Sequence, residues 1–561
     1  MKRFLALTLV LVMALALCAC GSNSAAPGGA APAQANSGTD VDLTAPTDLN
    51  YLDGYWPETY LRDSIVVATS KDGGGFAAVS NSPWGSVDFG LYEKLLIIDT
   101  QGKEHLQLLK SWTKVDDLTY DFEIWDCIYD TDGNHITAND VKYSFQQFVN
   151  HGQKGGLNCL NLLDGDIVDI DVTGDYTFTW HCSKPFATGE FGKNLSNCSI
   201  FSQKGFDASG DEYLTKPVGT GPYMLKEYVV GSKAIFVANP DYWMKHVDDE
   251  AWLAENFYAS NCQNVREIEF DIIQDAATRA MALEMGDVCA IDTANAADIN
   301  AYFADPSFGI TPVLKRVGAP IAFYFNCSDT SVCSDVNLRK AICYAIDSAA
   351  MAGNSNYPSY AVFGLQPNMF DAPENWKTGE GRDYYTYSLE KSKKYQELAG
   401  YHGETLTIMY MEMGPVTDAM IVMQSQLRTA GINLELQPVD QNTLDAYRSD
   451  YNRWDMICDI MGGGNYLANT LKKFWSGDFT DSKGNTVLAI QEPKLDELFL
   501  AVRDNNSAEN VEAWDQYFTY EKCYGYAMLR YYEQTGSLSS VNAVIGSSSN
   551  FLYPGAFTFN D

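Results

Sequence analysis

The chain has 561 residues, more than one hydrophobic core can serve, and 46% of them are apolar, so two or three domains are expected. Its formal net charge of −35 excludes nucleic acid as a partner, because phosphates would be repelled, and excludes electrostatic docking on anionic lipid. The acidity suits an exposed, soluble surface, and salt screens most of any pull on cationic solutes.

The first segment is a targeting signal. Lys2 and Arg3 supply a positive end, and Phe4 to Leu17 is an uncharged apolar run too short and wrongly flanked to span a bilayer. It closes on Leu17-Cys18-Ala19-Cys20-Gly21, which resembles a bacterial lipobox. That resemblance implies a signal peptide over 1–19, lipidation of Cys20, and acyl chains holding the protein at the cell membrane on its extracellular or periplasmic face. The alternative is a plain signal peptide with an incidental cysteine. Residues 20–60 are rich in Ala, Gly, Ser, Pro and Asn without apolar period, and are read as a flexible tether.

Folded structure is expected from near Tyr60. Ser64 to Thr69 is β-branched and apolar, a strand, and runs into Gly73-Gly74-Gly75-Phe76. No Lys-Ser/Thr follows the glycines, so this is a loop and not a phosphate cradle. Asp88 to Ile98 reads as helix then strand. Tyr120, Phe122 and Ile124 alternate with polar residues, Asp132-Gly133 turns the chain, and Thr137 to Asp140 is a capping box opening a helix through Phe148. Asp130, Asp132, Asn134 and Asp140 suggest a calcium loop superficially, but the glycine comes too early; a structural turn is the competing reading. Val168 to Val172 and Tyr176 to Trp180 form a hairpin. The six histidines have no paired spacing for zinc, and no metal or cofactor is expected.

Pro217-Val218-Gly219-Thr220-Gly221-Pro222-Tyr223 is a rigid, helix-free corner. Two strands joined at Gly231-Ser232 follow, closed by Asn239-Pro240-Asp241-Tyr242-Trp243. Ile268, Phe270 and Ile272 alternate as a strand, Ala276 to Met285 is a helix stopped by Gly286, and Val288 to Ile291 is the next strand. The order strand, helix, strand points to an α/β layer. Leu338, Ala341, Ile342 and Ala345 lie on one helical face, and Leu406 to Met411 is a strand. Met420, Met423 and Leu427 share a helix face, an apolar stripe expected in a core, and Ile432, Leu434 and Leu436 alternate. Pro493 to Val502 and Asn510 to Tyr526 read as helices.

The thirteen cysteines form no C-x-x-C. Most are read as free buried thiols, with Cys327 and Cys333 close enough in sequence to bridge a loop.

Five strings, in order, resemble the family-5 extracellular solute-binding proteins, the receptors that feed peptides, nickel chelates and other solutes to ABC importers. They are the corner with its N-P-D-Y-W, the Ser111 to Phe148 stretch, Thr278-Arg279 to Val288, Asn337-Leu338-Arg339-Lys340-Ala341-Ile342-Cys343-Tyr344-Ala345-Ile346-Asp347, and Leu427-Arg428-Thr429-Ala430-Gly431-Ile432. The resemblance implies an α/β, two-lobed periplasmic-binding-protein-like fold of type II (cluster C), with an extra small domain in the first lobe. In that reading 61–88 and 217–312 make lobe 1, 89–216 the inserted domain, 313–524 lobe 2, and 525–561 the return to lobe 1. Arg339 is then a structural anchor. The solute lies between the lobes, against Phe76, Asn81 and Trp84 from one loop and Met461, Asn465 and Tyr466 from another.

The second of these loops departs from the family. Peptide-binding members carry, in a W-x-x-D-Y string, an Asp that pairs with the peptide's α-ammonium; here Gly462-Gly463-Gly464-Asn465 stands in that place. Either another acid does that work, such as Asp459, or the solute is not a free-amine peptide. The function implied is an extracellular, monomeric substrate-binding lipoprotein that hands a peptide-like or other small solute to an ABC permease. The alternatives are a surface sensor or adhesin on the same fold, or a secreted hydrolase using paired carboxylates. No G-x-S-x-G elbow, metal motif or catalytic cysteine context supports the enzyme.

Overall fold

A computed structural model describes residues 55–560, apart from 73–75, 80–89, 151–166, 187–189, 210–215, 293–295, 317–319, 356–358, 363–383, 461–466, 478–484, 545–551 and a few isolated positions. Two sheets organise these residues, and one strand belongs to both. The first sheet runs, in spatial order, Tyr223–Val229, Lys233–Ala238, Val265–Ile272, Arg62–Thr69, Ala290–Ile291 and then Gly525–Leu538. The second continues from Gly525–Leu538 through Ile321–Phe325, Met456–Ile460 and Thr405–Met411 to Asn433–Val439.

The shared strand divides its partners cleanly. Residues 525–529 pair with Ile321–Tyr324 of the second sheet, while residues 532–538 pair with strand Ile310–Arg316 of the first. The chain therefore crosses from first sheet to second between Arg316 and Ile321, and crosses back within Gly525–Leu538. After that return it stays with the first lobe. Asn264 donates its backbone N–H to the Gly555 carbonyl, and Leu552 to Phe557 are buried in the first core.

Local chemistry explains most elements. Helix Ala276–Met285 opens on Asp275, whose side chain accepts from the Thr278 N–H, and stops at Gly286, which holds φ 77° in the left-handed region that a side chain would strain. Asp335 caps helix Val336–Tyr344 in the same way, and Ser388 caps Leu389–Ala399. Strand Val265–Ile272 buries Val265, Ile268, Phe270 and Ile272. In helix Gly414–Thr429, Met420, Met423 and Leu427 are fully buried, so the methionine stripe is core.

The corner at Pro217 to Tyr223 clamps the chain near Gly90. The Gly221 N–H donates to the Leu91 carbonyl at 3.1 Å, and the Tyr223 N–H to the Gly90 carbonyl at 2.9 Å. A Cβ at Gly219 would sit 1.9 Å from the Leu91 oxygen, and one at Gly221 2.0 Å from the Gly90 oxygen, so only glycine fits at either place. The hairpin that follows is antiparallel, with Gly231 at φ 71° in its turn. A four-stranded antiparallel sheet, Leu109–Asp116, Thr119–Ile124, Thr177–Cys182 and Ile167–Val172, packs its apolar side into the same continuous core as the first sheet.

Two expectations from the sequence do not hold. Asn510 to Tyr526 is not one helix. Helix Ala508–Asp515 passes into a π-helical turn at Gln516–Glu521, Cys523 takes a positive φ of 51°, and Gly525 onward is the shared strand. Pairing with Ile321–Phe325 overrides the helical period there. In the described part of Asp88 to Ile98 there is no helix but two short strands, Glu93–Lys94 and Leu96–Ile98. Asp130 anchors its own turn: Asp132 and Asn134 donate backbone N–H groups to Oδ1, and the Asn134 amide and Ser202 hydroxyl donate to Oδ2. Among the described residues nine cysteines, Cys327 and Cys333 included, are in no disulfide, and Cys198 is disulfide-bonded.

Candidate functional site: the crevice ends of two sheets

Strand direction locates the site. The shared strand runs from the second sheet into the first. Ala290–Ile291 pairs with it antiparallel, Ala290 opposite Ser537 and Ile291 opposite Gly536, so this strand ends toward the second lobe. Arg62–Thr69 runs parallel to it, Val67 beside Ala290 and Ala68 beside Ile291, and Val265–Ile272 runs parallel to Arg62–Thr69. Thr69, Ile272 and Asp292 therefore stand at the second-lobe end of the first sheet.

The second sheet mirrors this. Ile321–Phe325 is antiparallel to the shared strand and leads away from the first lobe. Met456–Ile460 is antiparallel to that strand in turn, and Thr405–Met411 and Asn433–Val439 run parallel with it. Ile460, Met411 and Val439 thus end toward the first lobe. In open α/β sheets the ligand crevice lies outside the carboxyl ends of the strands. Here two such sets of ends point at each other across one shared strand.

The candidate contacts read from sequence fall on this geometry unevenly. Asn81 and Trp84 lie outside the described residues, as do Met461, Asn465 and Tyr466; of the latter three, Met461 follows Ile460 directly in the chain. Cys20 also lies outside them. Phe76 is described, and it is fully buried. Its ring meets Tyr228 edge-on at 4.9 Å and Phe236 at 5.6 Å. It is a packing residue and offers no surface to a guest. Asp459 sits on strand Met456–Ile460 opposite Ala322. Arg339 is buried, and its guanidinium donates to four carbonyls, those of Cys333, Ser334, Lys522 and Cys523. That is an anchor between helix and strand, at the end of the second sheet away from the crevice.

Sequence reasoning missed Asp292. It is 7% exposed, and its Oδ2 accepts from the Thr69 hydroxyl at 2.5 Å. Its Oδ1 is buried without any hydrogen-bond partner. The one signal available in sequence was its place, directly after the strand that ends at Ile291. Nearby, Asp72 is spent on the hairpin, accepting from the Tyr228 hydroxyl and the Gly231 N–H.

Two sheets joined through a shared strand, with the carboxyl ends of each aimed at the other lobe, define a two-lobed binding protein of the periplasmic kind. The chain belongs to the bacterial extracellular solute-binding proteins, family 5, whose middle region matches residues 103–482. Among curated proteins it is similar to the "Probable D,D-dipeptide-binding periplasmic protein" of Escherichia coli K12, 22% identical over 444 residues, covering 75% of this chain and 76% of that one. Its fold is shared by a NikA protein from Brucella suis solved with Fe(III)-EDTA, at TM-score 0.72 and 17% identity, covering 88% of this chain and 99% of that one. It is shared too by a DppA protein from Helicobacter pylori solved with the peptide STSA, at TM-score 0.66 and 19% identity, covering 89% and 99%.

Proposed function

We propose that this protein is the extracellular receptor of an ABC importer, which captures a peptide-like small solute between its lobes and passes it intact to the permease. The family match over 103–482 carries this reading. The names of similar proteins, which speak of dipeptide and peptide binding, favour a peptide-like guest. In this reading the lobes close over the guest, and closure hides it from water, so shape and a few polar groups set selectivity. The protein does no chemistry on its guest. Cys20 carries the lipid that holds a monomer on the outer face of the membrane, and 20–60 is the tether.

The guest touches the loop holding Asn81 and Trp84 and the loop holding Met461, Asn465 and Tyr466, with Phe76 as the buried footing of the first. A thermal-shift screen against a casein peptide digest, nickel-histidine and simple sugars tests the class of guest, since bound solute raises the melting temperature by mass action. Trp84→Ala and Tyr466→Ala are expected to shrink that shift about tenfold in concentration dependence while leaving the melting temperature of the free protein unchanged. Phe76→Ala is expected to do the reverse, costing about 3 kcal/mol of stability. Equal loss of folding in the first two variants would place those rings in the core and remove them from the site.

A further inference from the structure

Among the described residues four carboxylates are buried: Glu93, Asp130, Asp292 and Asp515. Three have a donor on each oxygen. Glu93 takes the Tyr242 hydroxyl and the Trp243 indole N–H; Asp130 takes its turn N–H groups and Ser202; Asp515 takes the Thr519 and Tyr384 hydroxyls. Even the half-buried Asp455, which follows Trp454, is spent on Ser331 and Thr407. Asp292 alone of the four keeps an oxygen without a donor, and it makes no ion pair among the described residues.

Its position is as telling as its missing partner. Oδ2 is pinned by Thr69, the last residue of the neighbouring parallel strand, so the carboxylate cannot swing away. Thr535, next along the shared strand, is already committed to the Ile291 carbonyl. The carboxylate thus stands at the crevice end of the first sheet. A buried carboxylate with one hydroxyl donor is costly, and the cost is relieved most fully by a group bringing both N–H donors and a positive charge.

We propose that Asp292 is the counter-ion for a primary ammonium group on the solute. This rests on the receptor reading above and narrows it to amine-bearing guests. A guest ammonium enclosed at this strand end would supply the donor that Oδ1 lacks. Both the N-terminus of a peptide and a free polyamine carry that chemistry, and the test separates them.

The full chain is probed by thermal shift with three materials: a casein peptide digest, the same digest exhaustively N-acetylated, and spermidine. The expected result is a shift with the free-amine digest or with spermidine and none with the acetylated digest. Asp292→Asn is expected to need roughly 30-fold more of the active material for the same shift, the usual scale for removing one partner of a buried charge pair. The melting temperature of the free variant is expected to equal or exceed that of the parent, because an unpaired buried charge has gone. Equal shifts with acetylated and free digests would overturn this assignment while leaving the receptor reading intact. So would an Asp292→Asn variant that binds as before. If Asp292→Asn does not fold, the acetylation arm on the unmodified protein still decides. No shift with any of the three would overturn both the ammonium assignment and the peptide reading behind it.

Discussion

Glu93 and Asp292 are buried carboxylates in one core-sharing half of the molecule, yet their surroundings differ in kind. Glu93 is wholly enclosed where the 217–243 corner folds back on strand Glu93–Lys94, with the Tyr242 hydroxyl at 2.5 Å and the Trp243 indole N–H at 2.6 Å. Asp292 stands at a strand end with one oxygen held and one orphaned. A closed polar network ties elements together and punishes removal of any member. An incomplete one at the rim of a crevice is poised for something brought from outside. The first region is built for folding and the second for binding, and variants at the two are expected to separate these properties.

Trp243→Ala should have the largest effect. It empties a fully buried indole site and strips a donor from Glu93, and a loss of about 4 kcal/mol in urea unfolding is expected, with ligand shifts kept wherever the fold survives. A loss below about 1 kcal/mol would break the contrast, since the Glu93 region would then not be a folding node.

Glu93→Gln should show the next largest effect, and only as a function of pH. Burial pushes the Glu93 carboxyl up from 4.5 to about 7, against the pull of Trp243 and Tyr242, which lowers it. A folded value above the unfolded one means that the proton stabilises the fold. That stability is present below about pH 4.5 and is lost as pH rises through 7. The parent should therefore lose roughly 3 kcal/mol relative to Glu93→Gln across that window. Parallel stability curves for the two proteins would show that Glu93 keeps an ordinary carboxylate value. Asp292→Asn should have the smallest effect on stability, near zero or slightly favourable, with its consequence confined to binding as set out above.

Much of the fold is legible in the residues because its causes are local. Asp275 with Gly286, and Ser388 with Gly400, mark helix ends by hydrogen bonds a few residues long. Gly231 marks its hairpin by a positive φ. The shared strand is not legible, because its N-terminal half follows a helical run and its strand character comes from partners two hundred residues away. The candidate site is legible only as loops. Trp84 and Tyr466 are suggested by what a family resemblance implies, while Phe76, grouped with them, turns inward because Tyr228 and Phe236 cover it.

Sequence by itself determined the α/β order, the capped helices and the kinship with solute-binding proteins, since each rests on short-range pattern. Only the tertiary structure decided which acid is satisfied and which is not. Asp130, Asp455 and Asp292 look alike along the chain. They differ because hydrogen-bond donors reach the first two from their own turn and from neighbouring elements, while at Asp292 the neighbouring strands supply one donor and stop.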